Sequence, residues 1–421
     1  MPIILVSPLK KIYLWWLNWD FAYAGARWVM LEITPPREVL VPFKAMEDVF
    51  AMIWPVWDHP VFREKWCDGI LDHMPGWCSF ELASIEGKIH FYLRCLAQHK
   101  LMIETALYSH YPDIEIHETE DYVGMVPPSL PNEEWDTYGE NFILDNSNNA
   151  LPIKTYEKFF EPQGERIAAE EKRIDPMISL LEGLSRLGPG EHYWVQFVLM
   201  PIRPEIEDLY FLEGAREIIN KITNRPQKKK TNFWGELVLM GHHLIFGPQR
   251  DGSGESAKYS WLEMGKSETG EREMVLTPGE REVLTEVENK IKKPVFKVII
   301  RGVYVAKKEN SKNSHKVLAR SYFAHFGVQN MNFIRFDALT RPKIHNFMRN
   351  RRTFLRNRKI FKMAVLRFPP LFPNREAISS IFNTEELATI FHFPLRVSGM
   401  VGPTMEKVDS KKAGPPPNLP I

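Results

Sequence analysis

Between Arg27 and Tyr122 the apolar residues change their period in a fixed order, and that order limits the folds open to the chain. The run WVMLEI (28–33) alternates as a half-buried strand does, Pro35 and Pro36 break it, and FKAMEDVFAMIW (43–54) places its apolar residues at helical spacing. WCSFELASI (77–85) and KIHFYLRCL (88–96) then read as two strands separated by Glu86 and Gly87, a hairpin signal. HKLMIETALYSHY (99–111) returns to the helical period. DIEIHETEDY (113–122) reads as a last strand, with Ile114 and Ile116 inward and Asp113, Glu115 and His117 toward water.

The resulting order, β, α, β, β, α, β, is the split βαβ arrangement of ferredoxin-like domains, and it predicts an α+β domain over residues 27–126. The proline-rich run VPPSLPNEEW (126–135) cannot continue a helix or a central strand, so a boundary is expected there. A second α+β domain of related topology is expected over 127–340. Its helix DPMISLLEGLSRLGPG (175–190) opens on Asp175 as N-cap with Pro176 in the first turn. The strand HYWVQFVLMPI (192–202) is so continuously apolar that both faces should be buried. TPGEREVLTEVENKI (277–291) carries a capping-box signal in Thr277, Pro278 and Glu280. VFKVIIRGVYVA (295–306), HKVLARSYFAHF (315–326) and NFIRFDAL (332–339) follow as strand, helix and closing strand. Residues 225–275 form a polar insertion around FWGELVLMGHHLIF, 341–394 a basic helical segment with a closing helix, and 395–421 a proline-rich linker.

With 44% hydrophobic and 25% charged residues over 421 positions, the chain has material for a large core. Cys67, Cys78 and Cys95 are odd in number and have no His at ligand spacing, which argues against a disulfide framework or a zinc module and for a reducing compartment. Residues 1–26 are interrupted by Lys10, Lys11, Asn18 and Asp20, short of the roughly twenty apolar residues that a spanning helix needs. Trp15, Trp16 and Trp19 beside those lysines fit a bilayer interface, or a helix packed on the protein's own surface. No continuous apolar core leads to a cleavage site, so a signal peptide is not expected.

Gly265, Lys266 and Ser267 look like the end of a phosphate-binding loop, but Ser260 stands where the loop needs glycine, and the flanks WLEM and ETGERE supply neither buried strand nor helix. Nucleotide binding is therefore not expected. His242 and His243 are adjacent, which points their rings apart, and no carboxylate or thiol sits at ligand spacing. His110 and His117 are expected to face solvent. Neither a metal nor another cofactor is expected.

The formal net charge of +1 conceals two opposite blocks. Residues 113–140 hold Asp113, Glu115, Glu118, Glu120, Asp121, Glu133, Glu134, Asp136 and Glu140 with no Lys or Arg. These acids are expected on a strand end and a loop, as a solvated face or a dock for a basic partner. Residues 341–368 hold Arg341, Lys343, Arg349, Arg351, Arg352, Arg356, Arg358, Lys359, Lys362 and Arg367 with no Asp or Glu. Within this block Phe347, Phe354, Phe361 and Phe368 recur every seven residues, which on a helix makes one apolar stripe and leaves a cationic face to solvent. Such a face suits phosphate backbones. It also suits the acidic block, another protein, or anionic lipid.

These stretches resemble the uncharacterised N-terminal region found ahead of the ATPase module in type IV secretion and conjugative-transfer coupling proteins of candidate-phylum bacteria. The resemblance is carried by WVMLEITPPREV with KAMEDVF, KIHFYLRC leading to YPDIEIHETEDY, GEHYWVQFVLMP, TPGEREVLTEVENKIKKPVFKVIIRGVYVAKKE, and NTEELATIFHFP (383–394). It runs from about Arg27 to Pro394. It implies a non-catalytic accessory and assembly role in the cytoplasm, at the inner face of the cell membrane, in contact with a conjugative ATPase motor, DNA, secreted protein or further copies of the chain. Such proteins usually carry transmembrane helices before WVMLEI and continue past AGPPPNLP into a P-loop motor; here the motor is expected to lie outside the chain, encoded separately or lost from a truncated reading frame. A purely structural protein-protein adaptor is the alternative.

Overall fold

In the computed structural model the Glu86–Gly87 turn forms as the sequence predicts, with φ of 54° and 86°. Positive φ at both positions matches the right-handed twist of the strands it joins, β2 (Cys78–Ile85) and β3 (Lys88–Leu96). The structure describes residues 25–36, 42–56, 76–145, 149–159, 175–207, 209–223, 249–251, 258–260, 276–345, 347–367 and 379–394, with Leu9, Ile12, Tyr13, Trp16 and Val39. β1 (Trp28–Thr34) lies beside β3 on one side and β4 (Glu115–Thr119) on the other, antiparallel to both. Helices α1 (Pro42–Ile53) and α2 (Lys100–His110) connect β1 to β2 and β3 to β4.

The second half repeats this plan with β5 (Trp135–Leu144), α3 (Pro176–Ser185), β6 (Glu191–Ile202), β9 (Val295–Lys307), α7 (Leu318–Ala324) and β10 (Ile334–Phe336). Between β6 and β9 the chain makes an excursion through α4 (Pro204–Glu207), α5 (Leu209–Ile222), the paired β7 (Gln249–Asp251) and β8 (Lys258–Ser260), and α6 (Pro278–Lys292). α8 (Arg349–Val365), β11 (Ser380–Asn383) and α9 (Thr384–Ile390) close the described chain.

All nine long-range strands belong to one antiparallel sheet, ordered β10-β5-β9-β6-β2-β3-β1-β4, with β11 added to β9. Each half therefore reads fourth, first, third, second from its outer edge. The halves meet at the β2–β6 seam, paired from Cys78↔Leu199 to Ile85↔His192. Both outer edges are unattractive to a further strand: β4 exposes Glu118 and His117, and β10 has only 3 residues. The expected boundary near 126 falls in the crossing that carries the chain from β4 over the sheet to β5. Its prolines cannot join the sheet, so it lies on the sheet, with Tyr122, Val123, Val126 and Leu130 buried.

The pleat sorts the strand residues into two layers. Tyr193, Val195, Phe197 and Leu199 of β6, with Phe296, Val298, Ile300 and Tyr304 of β9, meet α1, α2, α3, α7 and α9 in the main core. The alternate residues Trp194, Val303 and Val305 meet the crossing and α8 on the opposite face. Burial on both faces explains why β6 lacks alternation, as its sequence predicts. Both predicted caps form: the Thr277 hydroxyl accepts from Glu280 N at 3.3 Å while Glu280 Oε2 accepts from Thr277 N at 2.9 Å, and Asp175 accepts from Met177 N at 2.8 Å.

One expectation fails on α8. The helix packs through Asn357, Ile360, Phe361 and Ala364, and of the four phenylalanines only Phe361 is among these buried residues. Phe347 precedes the helix, because Met348 adopts φ 54° and the helical turn starts only at Arg349. Phe354 is 42% exposed and Phe368 lies outside the described residues. The acidic block also departs from a loop placement: Asp136 and Glu140 sit inside β5.

Candidate nucleic-acid interface

A row of polar side chains crosses the α8 face of the sheet. His117, Glu32, Tyr92, Glu81, Gln196, Arg301 and Asn141 are successive cross-strand partners on β4, β1, β3, β2, β6, β9 and β5. Buried polar groups of this kind require partners. Arg367, just past α8, supplies them at the centre. Its Nε and Nη2 donate to the two Glu81 carboxylate oxygens at 3.0 and 3.1 Å, and Nη1 and Nη2 donate to Asp121 at 2.7 and 2.8 Å. Tyr122 donates to Glu81 at 2.5 Å, and Gln196 donates to the Tyr122 hydroxyl at 3.0 Å. Burial works against the Arg367 charge, but Glu81, Tyr122 and Asp121 hold its pKa well above the usual value. These bonds also hold Arg367 at φ 46°, where glycine is the usual residue after a helix.

The same row grips the last turn of α8. Gln196 donates to the Ala364 carbonyl at 3.2 Å and Arg301 to the Met363 carbonyl at 2.8 Å, so a cation meets the negative end of the helix. Burial pulls Arg301 down to about 9, still protonated near neutrality. Gly139 on β5 permits the close seating, since a Cβ there would stand 2.8 Å from Ile360 Cγ2.

The solvent face of α8, from its first turn to Lys362 in its last, is arranged differently. Arg349, Arg351, Arg352, Arg358, Lys359 and Lys362, with Lys343 ahead of the helix, are all exposed, and they form no ion pair with a described residue. Arg341 and Arg356, expected to join them, are engaged within the chain. Arg341 Nε lies 3.4 Å from Glu140 and donates to Tyr138 at 3.3 Å, while Arg356 Nη1 donates to the Arg341 carbonyl at 2.6 Å. Two of the exposed cations, Lys343 and Arg349, line a groove of 690 Å³ together with Lys308, Lys316, Phe354, Asn357 and Asp136, which pairs with Lys316 at 3.2 Å. The Asn357 Oδ1 is buried there without a hydrogen-bond partner among the described residues. Met348 gives the helix no side-chain cap. Arginines in the first turn therefore add to the positive end of the helix dipole, an arrangement that an anion relieves.

Two further polar clusters hold the core layer together. Glu191 accepts from Tyr304 and from Gly188 N at 2.8 Å and lies 2.8 Å from His315 Nδ1. Burial raises the Glu191 carboxyl, and these three partners outweigh it and bring its pKa below the usual value. His392 Nε2 lies 2.9 Å from Asp175, joining the closing segment to the cap of α3. His392 is a lone polar residue between Phe391 and Phe393, so nothing in the sequence marks Asp175 as its partner.

Among the described residues, no group of three or more His, Cys, Asp and Glu could hold a metal ion, and no helix is long and apolar enough to cross a membrane. Cys78 and Cys95 are buried free thiols, and burial pushes Cys95 up to about 12. His110 is half-buried and His117 exposed. Trp16 is exposed, whereas Trp15, Trp19, His242, His243 and Gly265 to Ser267 lie outside the described residues. Comparison with protein-family models and with curated proteins gives no match for this chain.

Proposed function

We propose that the chain is a non-catalytic, DNA-handling accessory module of a type IV secretion or conjugative-transfer machine, working beside an ATPase motor at the inner face of the cell membrane. The observation that carries this reading is the row of exposed cations on α8, unpaired among the described residues, with Lys308 in the groove that Lys343 and Arg349 border. Phosphate backbones satisfy such a row without any base-specific recognition. The transfer machine comes from the resemblance of the sequence to the region ahead of coupling-protein motors. Each half is read as a ferredoxin-like unit, supported by the strand orders β4-β1-β3-β2 and β10-β5-β9-β6.

Fluorescence anisotropy with labelled duplex DNA across a salt series tests the proposal. Binding should weaken linearly in log-log form, and changing Arg351, Arg352, Arg358 and Lys359 to Ala should flatten the slope by about 0.9 for each phosphate that is no longer neutralised. Equal affinity and slope in wild type and variant would remove DNA as a partner. The alternative, a structural adaptor without nucleic-acid binding, draws support from Arg367 on Asp121 and Arg341 on Glu140, where the two charge blocks already meet within the chain.

A further inference from the structure

The cationic end of α8 also carries apolar side chains that a phosphate backbone cannot use. Phe347 is 81% exposed, Met348 53% and Phe354 42%. Leu355, next to Phe354 on the helix, is exposed as well. The left-handed turn at Met348 delays the helix until Arg349 and leaves Phe347 and Met348 outside the packed layer. Arg341 and Arg356 are bonded to each other through the Arg341 carbonyl, which ties the segment before the helix to the helix itself. The tip is thus a fixed surface, in which large apolar groups alternate with cations. Exposed apolar groups clustered in this way mark a surface that is covered in use.

We infer that Phe347, Met348 and Phe354, flanked by Lys343, Arg349 and Arg352, dock the N-terminal end of α8 into the headgroup layer of an anionic lipid bilayer. The inference rests on the peripheral membrane placement proposed above and names the surface that produces it. Charge complementarity selects anionic headgroups, and each juxtamembrane cation adds to the attraction. Insertion of the phenylalanines and methionine removes apolar area from water at the acyl boundary. Met348 has no π-face for a base to stack on, so lipid accounts for all three apolar residues where nucleic acid accounts for two.

Flotation of the full chain with vesicles of phosphatidylcholine, with and without phosphatidylserine, reads the association directly. Binding is expected only with phosphatidylserine. Changing Phe347, Met348 and Phe354 together to Ser should lower partitioning by about tenfold or more. Since all three side chains are exposed, the fold should survive, and circular dichroism checks it. In a Phe347→Trp variant the emission should shift to the blue on anionic vesicles. Absence of binding, binding unaffected by the triple change, or an unshifted tryptophan would each overturn the inference. So would loss of duplex DNA binding with vesicle binding retained in the triple variant, which would assign these side chains to nucleic acid. DNA binding that fails while the vesicle results hold would overturn the DNA reading alone.

Discussion

The two ends of the basic segment have the same composition and opposite fates. At the C-terminal end Arg367 is fully buried, clasped by Glu81 and Asp121, and the helix beside it presses Ile360 and Phe361 onto the sheet. At the N-terminal end Arg349, Arg351 and Arg352 stand in water beside exposed Phe347 and Phe354. A charge run does not by itself decide whether it is buried. What lies underneath decides, because a buried guanidinium needs partners for its charge and donors, which Glu81 and Asp121 supply to Arg367. The buried end is a structural clamp, and the exposed end makes no ion pair with a described residue.

The largest test of this contrast is Arg367→Met. Losing the guanidinium leaves Glu81 buried without its cation, and a loss of about 3–5 kcal/mol is expected in denaturant unfolding. A loss below about 1 kcal/mol, the range of exposed ion pairs, would mean that the two ends do not differ. A smaller effect is expected from Gly139→Val, which pushes against Ile360 and should cost about 1–3 kcal/mol by overpacking. If α8 can shift outward freely, this variant will match wild type, and the seating of the buried end is then looser than the geometry implies. The smallest effect belongs to the exposed end. Each of Arg351, Arg352, Arg358 and Lys359 changed to Ala should alter thermal stability by no more than about 0.5 kcal/mol, while lowering affinity for polyanions. A marked destabilisation there would place these cations in the structural clamp instead.

The first half of the molecule was legible because its strands and helices are short, separated by turn signals, and each keeps its own period. The hairpin at Glu86–Gly87, the cap at Asp175 and the capping box at Thr277 are short-range devices, and they stand where residue type alone puts them. β5 was not legible: Asp136, Gly139 and Glu140 interrupt its apolar pattern, and each makes sense only beside Lys316, Ile360 or Arg320 from elsewhere in the chain. The seam between β2 and β6 was hidden for a similar reason, since edge-to-edge pairing uses backbone groups that every residue has.

The candidate site divides along the same line. Sequence by itself determined that a long, purely cationic helix would follow the second α+β unit, because charge and helical propensity are local properties. Only the tertiary structure decided which cations remain outside. The row from Glu32 through Glu81 to Asn141 is assembled from single residues on separate strands, and Arg367 reaches it from 286 positions away along the chain. Long-range electrostatic pairing of this kind leaves no periodic trace, so the folded sheet alone separates the clamp from the open surface.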